Sequence, residues 1–396
     1  MTLPGLSAFY GGLVKRKNQL SVFMQCLVCA CVASVMWFSF GYSLCFADAP
    51  NAVVGGLGNA FMKGITVDTL VGTLPEALWA LYQMTFAVIT PALMIGAFVE
   101  RMKFNASIIY MALWSIAVYY PACHLIWGGG ALAAAGVVDF AGGIVVHVTA
   151  GVGALVACHV LGPRKNNTMV PGNILMTLLG TGMLWVGWFG FNGGSAAAAG
   201  TEAAFANLCT HLSASIAALV WMFLDYLETG KTSAIGTCTG AIAGLAAITP
   251  AAGSVGPLGG IIIGTLSAII CRFFSTTVKE KVGYDDSLDV FGVHGVGGFV
   301  GTLALAFFGA PMFGGFSTVP MMEQFGIQLA AATGVALYTA VASFVCLKIT
   351  GVITGGIRVA EEVESGPEGL DGYSHGEAAY TLEEGELPRS TVPALA

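Results

Sequence analysis

Polar positions along this chain are sparse and clustered, and the stretches between the clusters are continuously apolar rather than alternating. With charge, proline or glycine clusters as boundaries, the apolar runs fall at 1–14, 20–47, 73–98, 104–127, 138–161, 173–192, 204–227, 233–249, 256–274, 288–309 and 325–350. Most are close to the roughly 20 residues that a helix needs to cross a bilayer. Continuous runs of that length predict helices, not the alternating strands of a membrane barrel. The pattern therefore predicts an all-α polytopic membrane protein of eleven transmembrane helices. An odd number of spans puts the two chain ends on opposite faces.

Composition removes the alternatives. Of the 396 residues 56% are apolar and 9% charged, against about 25% charged in an ordinary soluble domain. A soluble enzyme, a disordered chain and a secreted disulfide scaffold are all excluded. Basic residues then orient the chain. Lys15, Arg16 and Lys17 follow the first run, Arg101 and Lys103 the third, Arg164 and Lys165 the fifth, Lys231 the seventh, and Arg272, Lys279 and Lys281 the ninth. The alternate loops hold only Lys63. By the positive-inside rule the N-terminus is expected outside and the C-terminus in the cytoplasm. The expected division is a membrane domain, 1–357, and an acidic cytoplasmic tail, 358–396, with nine of the 22 acids after residue 360. No basic run points to nucleic acid.

The first run is short. As a helix, Met1 to Val14 reaches only about 21 Å, less than the roughly 30 Å hydrocarbon core. Its basic end is marked by Lys15–Lys17, so the missing part is the outer half. The expectation is that the native protein, or its close relatives, extend this span upstream of Met1.

Glycines recur at four-residue spacing, as Gly236/Gly240/Gly244 and Gly256/Gly260/Gly264, a spacing that lets membrane helices approach closely. Cys26 and Cys29 have metal or redox spacing, but they sit in an unbroken apolar run with no second pair and read as small buried hydrophobes. The two halves carry a weak repeat. Phe9-Tyr10-Gly11-Gly12 ends the first run and Phe191-Asn192-Gly193-Gly194 the sixth; Asp139 precedes His147 by eight residues, and Asp286 precedes His294 by eight. The partners are five spans apart, so the halves form an inverted five-helix repeat, as in many transporters, around a central pore. Eight residues of helix rise about 12 Å, which brings each histidine near the bilayer midplane from opposite faces. An ionisable side chain at that depth is costly unless it is used. His159 and His211 lack a symmetric partner and read as polar groups satisfied by a neighbouring helix. Asp139 and Asp286 sit where a carboxylate caps free helix N–H groups, an architectural role.

With these motifs the chain resembles the ammonium transporter (Amt/Mep/Rh) family over nearly its whole length. The resemblance rests on Pro4-Gly5…Phe9-Tyr10-Gly11-Gly12-Leu13, Trp127-Gly128-Gly129-Gly130, Asp139-Phe140-Ala141-Gly142-Gly143 running to His147, Trp188-Phe189-Gly190-Phe191-Asn192-Gly193-Gly194-Ser195 and Asp289-Val290-Phe291-Gly292-Val293-His294-Gly295. Gly369-Leu370-Asp371 and His375-Gly376-Glu377-Ala378-Ala379-Tyr380 resemble the family's cytoplasmic tail motif, and with Trp127 they point to its bacterial or archaeal branch. The chain departs from the family in its short first run and in an extension after Tyr380.

The resemblance implies a homotrimer with one pore per subunit. It implies an outer ammonium site at Trp127, Ser195 and Tyr82, gate phenylalanines at Phe86 and Phe191, and pore imidazoles at His147 and His294. Many family members carry Phe where Tyr82 stands. Without the resemblance, Trp127 and its aromatic neighbours would more often be interface or packing residues. An aromatic face with a hydroxyl suits a small cation that donates hydrogen bonds. Passing as ammonia avoids most of the cost of carrying a cation through an apolar bore, and imidazoles can relay the proton. A PII-type signal protein is the expected cytoplasmic partner; no cofactor or metal is expected. An ammonium sensor of the same fold is the alternative. A membrane enzyme or metal site built on the histidines lacks any close ligand cluster.

Overall fold

The structure is a computed structural model that describes residues 2–48, 51–166, 168 and 170–380. The extension after Tyr380, with Glu383, Glu384 and Glu386, lies outside the described residues. Among the described residues nine helices are long and apolar enough to cross a membrane, and the only strands form a small hairpin, β1 (Leu70–Val71) with β2 (Leu74–Pro75). In chain order the helices are α1 (Thr2–Leu13), α2 (Arg16–Phe46), α3 (Glu76–Phe98), α4 (Phe104–Ala134), α5 (Gly143–Leu161), α6 (Ile174–Ala196), α7 (Thr201–Thr229), α8 (Ala234–Ile248), α9 (Pro257–Val282), α10 (Phe291–Phe308) and α11 (Met321–Thr354). The expected eleven spans thus become nine spanning helices and two shorter apolar ones, α1 with 12 residues and α8 with 15.

Several helices outrun the apolar runs that predicted them. α7 continues to Thr229 and α11 to Thr354, where Gly230 (φ 70°) and Gly355 (φ 60°) turn left-handed. Hydropathy marks only the part of a helix suited to lipid, whereas the backbone stays helical until a terminal glycine stops it.

Lipid is as apolar as leucine, so the helices are held by close packing rather than by the hydrophobic effect. Of the two glycine rows, all but Gly256, which meets the Gly314 backbone, face one helix from two sides. A side chain at Gly240 would meet Trp221 and the Ala217 carbonyl of α7, and one at either Gly244 of α8 or Gly264 of α9 would meet the Ser213 carbonyl. Corresponding parts of the two halves also meet. α1 packs on α6, with Gly12 against Thr177 and Gly180 against the Phe9 backbone; α5 crosses α10 with Gly151 against Gly295. The crossing helices do not open as regular α-helix: Gly143–Val148 of α5 and Phe291–Gly295 of α10 are π-helical turns, each carrying one of the histidines. The wider i→i+5 turn is common where a helix must re-aim a functional side chain.

The loops after α1, α3, α5 and α9 share one face. The Lys15 N–H donates to Glu100 Oε1 at 2.9 Å, and Arg164 pairs with Glu100 and with Asp285 at 2.9 Å each. The tail segment lies on this basic face through two short helices, α12 (Glu361–Ser365) and α13 (Gly369–His375). Arg358 and Glu364 pair at 2.8 Å, and the Val359 N–H donates to the Arg101 carbonyl at 3.0 Å. Asp371 accepts the Leu20 and Ser21 N–H groups at 3.0 and 2.8 Å, near the start of α2. Cys26 and Cys29 are buried free thiols, and no metal-holding cluster occurs among the described residues.

Candidate functional site

Eight of the nine candidate residues fall into one connected column. At its open end Tyr82 of α3 meets Ser195 of α6, hydroxyl to hydroxyl, at 3.0 Å. The Tyr82 hydroxyl can donate to the Phe191 or Gly190 carbonyl (2.8 and 3.1 Å), and Ser195 Oγ donates to the Phe191 carbonyl at 2.9 Å. With both protons engaged on backbone carbonyls, the two oxygens present lone pairs, the polarity that a hydrogen-bond-donating cation requires. Trp127 joins the column through Phe86, the ring that also meets Tyr82. Its indole N–H donates to the Asp139 carbonyl at 2.7 Å, which fixes the ring against the start of α5.

Below the hydroxyls the column is aromatic. Phe86 lies 5.1 Å from Tyr82, 5.4 Å from Trp127 and 4.7 Å from Phe191, centroid to centroid, each pair near edge-on. The two phenylalanines are buried. Beneath Phe191 the rings turn parallel. His147 lies 5.9 Å from Phe191 at an interplanar angle of 13°, and His294 lies 5.2 Å from His147 at 14°. The imidazoles meet at 3.2 Å, Nδ1 to Nδ1, so one ring donates and the other accepts. His147 Nε2 has no hydrogen-bond partner among the described residues. The surrounding cavity is walled chiefly by apolar side chains, among them Leu6, Ile89, Leu93, Leu184 and Ile242.

Local structure explains how the histidines arrive. Asp139 accepts four successive amides, Gly142 and Gly143 on Oδ1 and Ile144 and Val145 on Oδ2, at 2.5–3.1 Å. The carboxylate thereby satisfies the free N–H groups of the opening turn of α5. Asp286, the ninth candidate, stands apart from the column at the start of α10. It accepts only the Phe291 N–H, at 2.7 Å, and its Oδ1 has no partner among the described residues. His159 and His211 lie away from the column: His159 Nδ1 is 2.8 Å from the Leu155 carbonyl and its ring stacks on Tyr284, while His211 leans on Trp185.

Trp188 was given no role from sequence, yet its ring lies nearly parallel to His147 (5.6 Å, 14°) and to Phe191 (5.1 Å, 22°). Its indole N–H is anchored on Thr249 Oγ1 at 2.9 Å. The available signal was its position three residues before Phe191, which puts the two rings on one helical face.

Comparison with known proteins identifies the family. Residues 1–380 match the model of the Ammonium Transporter Family. An ammonium transporter of Aquifex aeolicus is 43% identical over 393 residues, covering 96% of this chain and 90% of its own. Among solved structures, Candida albicans Mep2 superposes with a TM-score of 0.84 at 36% identity, covering 91% of this chain and 84% of its own. A protein described as a sensor Amt protein superposes with a TM-score of 0.86 at 27% identity, covering 94% of each chain. The transporters are nearer in sequence, and the sensor likeness gives that alternative no better support. The chain belongs to the ammonium transporter family.

Proposed function

We propose that the protein takes up ammonium at Tyr82, Ser195 and Trp127, removes its proton, and passes ammonia between Phe86 and Phe191 to His147 and His294. The observation that carries this reading is the unbroken succession from hydroxyl lone pairs through edge-on rings to a hydrogen-bonded imidazole pair. Ammonium donates hydrogen bonds to the two hydroxyl oxygens and presents its charge to the ring faces. Carrying that charge into an apolar lumen as one intact ion is costly, and separating the proton from ammonia so that each crosses on its own lowers the barrier. The histidine pair can accept the proton on one ring and release it from the other, because the Nδ1–Nδ1 bond works with either ring as donor. Potassium fits the first site but has no proton to surrender, so it is rejected at the gate.

The protein acts in this reading as a homotrimer in the cell membrane, with the basic face and the tail from residue 358 in the cytoplasm. That face is also where a PII-type signal protein would dock to close the pore. Ammonium-evoked current in proteoliposomes, with potassium as the control ion, tests the conduction reading. Saturable ammonium current without potassium current is the expected result, and equal currents from the two ions would overturn it. A pull-down with a PII protein from the same cell, with and without 2-oxoglutarate, tests the partner.

A further inference from the structure

Two glutamines of α11, Gln324 and Gln328, are buried, 2% and 0% exposed, and stand outside the column. They lie one helical turn apart, so both amides reach out from one face of the helix. Gln328 follows Met321, the first residue of α11, by about 10 Å of helix, a depth at which an unpaired amide would be costly. Its amide is fully engaged, chiefly on a loop. Oε1 accepts the Val138 N–H at 3.0 Å, and Nε2 donates to the Val138 carbonyl at 2.6 Å and to the Thr302 carbonyl of α10 at 3.4 Å. Gln324 Nε2 donates to Gln328 Oε1 at 3.1 Å and to the Gly136 carbonyl at 3.2 Å. These partners allow one orientation of the Gln328 amide, since an N–H needs its oxygen and two carbonyls need its nitrogen.

Val138 is thus gripped at both of its backbone groups by a side chain 190 residues away. It immediately precedes Asp139, whose carbonyl takes the Trp127 indole N–H at 2.7 Å. The Trp127 ring also lies over Gly142, where an added side-chain carbon would come within 3.2 Å of the indole. The loop from Val138 to Gly142 therefore decides where the ring stands. That loop is braced on both sides of Asp139. On the far side the Phe140 N–H donates to the Pro250 carbonyl at 3.2 Å. On the near side Gln328 holds Val138 from another helix. The Asp139 carboxylate, in turn, binds four amides of its own segment and sets the start of α5 and His147. Removing the Gln328 amide leaves that cap and the Pro250 bond in place. Its loss should therefore fall on the aim of Trp127 rather than on the histidine pair.

We propose that Gln328 is a positioning residue for the outer ammonium site: by gripping Val138 it holds the Asp139 carbonyl where that carbonyl aims the Trp127 ring. Its effect on affinity rests on the proposed function; its grip on the loop does not. Gln328→Met keeps the volume and removes the grip. In proteoliposomes it should raise the half-saturating ammonium concentration several-fold, while maximal current per folded protein and exclusion of potassium stay as in wild type. In a Trp127→Leu background the same change should add little, because the ring it aims is gone. Hydrogen exchange of the intact protein, read by mass spectrometry, should be faster across residues 131–140 in Gln328→Met and unchanged across α5. Gln328→Glu keeps an acceptor for the Val138 N–H but has at most one donor for the two carbonyls. It should shift both readings the same way by less, and it carries the test where the methionine variant fails to fold. An unchanged concentration dependence would overturn the proposal, as would a shift that adds in full to that of Trp127→Leu, or unchanged exchange across 131–140. Absence of ammonium current from wild type would overturn the proposed function itself, and the exchange reading then decides whether Gln328 holds the loop.

Discussion

The starts of α5 and α10 are spelled alike, with an aspartate eight residues before a histidine and a π-helical turn between them, yet they are built differently. Asp139 closes its helix start with four amide bonds, whereas Asp286 accepts one. The α10 start is set instead among charges: Lys279 with Asp289 at 2.7 Å, and Asp285 with Arg164 at 2.9 Å. Arg164 continues to Glu100, which receives the Lys15 N–H and the Asn18 side chain, and Asn18 accepts the Leu370 N–H of the tail. One histidine therefore hangs from a self-contained cap and the other from a junction that reaches the tail. Symmetry of sequence delivers the two imidazoles to one point; it does not make their supports equivalent.

The largest effect that sharpens this contrast is on folding. Asp139→Ala leaves four buried N–H groups to find new partners, at about 1–3 kcal/mol each where none is found. That sum rivals the roughly 5–15 kcal/mol stability of a typical domain. Almost no folded protein should be recovered. Asp286→Ala leaves one such N–H, at about 1–3 kcal/mol, and should fold. Recovery of monodisperse protein by size-exclusion chromatography compares them, and equal yields would break the distinction between cap and junction.

Next comes the junction itself. Burial alone would raise the Asp285 carboxyl, but the hydrogen bonds from Arg164 and the charges of Arg101 and Arg164 hold it below the usual carboxylate value. A carboxylate with a depressed folded pKa adds stability above its unfolded value, near 3.9, and loses it as pH falls through the folded one. Wild-type melting temperature should therefore drop as pH falls below about 4, beyond the drop seen in Asp285→Asn. At pH 7 that variant breaks a buried pair and should be less stable by about 3–5 kcal/mol. Parallel melting curves from pH 7 to pH 3 would show that the pair contributes nothing.

Third, replacing both His147 and His294 by Ala should cut ammonium-evoked current per folded protein by roughly 10²-fold, the usual contribution of a positioned proton acceptor. Residual flux should discriminate less against potassium. Wild-type current with wild-type selectivity would reduce the pair to packing.

What sequence revealed and what it hid divide along the same line. Asp139, His147 and their mates were legible because a cap and a helical rise are local and need only counting along the chain. The spans were legible from apolar runs, the short α1 and α8 to within a residue at each end, but α7 and α11 run past theirs, since hydropathy reports polarity and not where the backbone stops. The Glu100–Arg164–Asp285 junction was not legible: its members are 64 and 121 residues apart and meet only through the packing of α3, α5 and α10. Trp188 was hidden for a related reason. Its partner in space is His147, on another helix, and nothing along the chain ties the two.

The smallest effect concerns the mouth, where the contrast is sharpest in kind. The Trp127 indole is anchored on the Asp139 carbonyl at 2.7 Å, so the α5 start also positions the aromatic face of the proposed ammonium site. No tryptophan is hydrogen-bonded to Asp286 among the described residues. Cation–π contact at a partly exposed site is worth about 0.5–2 kcal/mol, a shift of a few-fold to some thirty-fold in half-saturating concentration. Trp127→Leu should move the ammonium concentration dependence of the current within that range without changing the yield of folded protein. Ser195→Ala removes one lone-pair-bearing oxygen and should move it by a similar or smaller amount, since Tyr82 still presents its own. Trp127→Phe, which keeps a ring but loses the anchor on Asp139, should fall between wild type and Leu. Concentration curves that superpose for all three variants would detach the mouth from the α5 start and leave the aromatic cluster as packing alone.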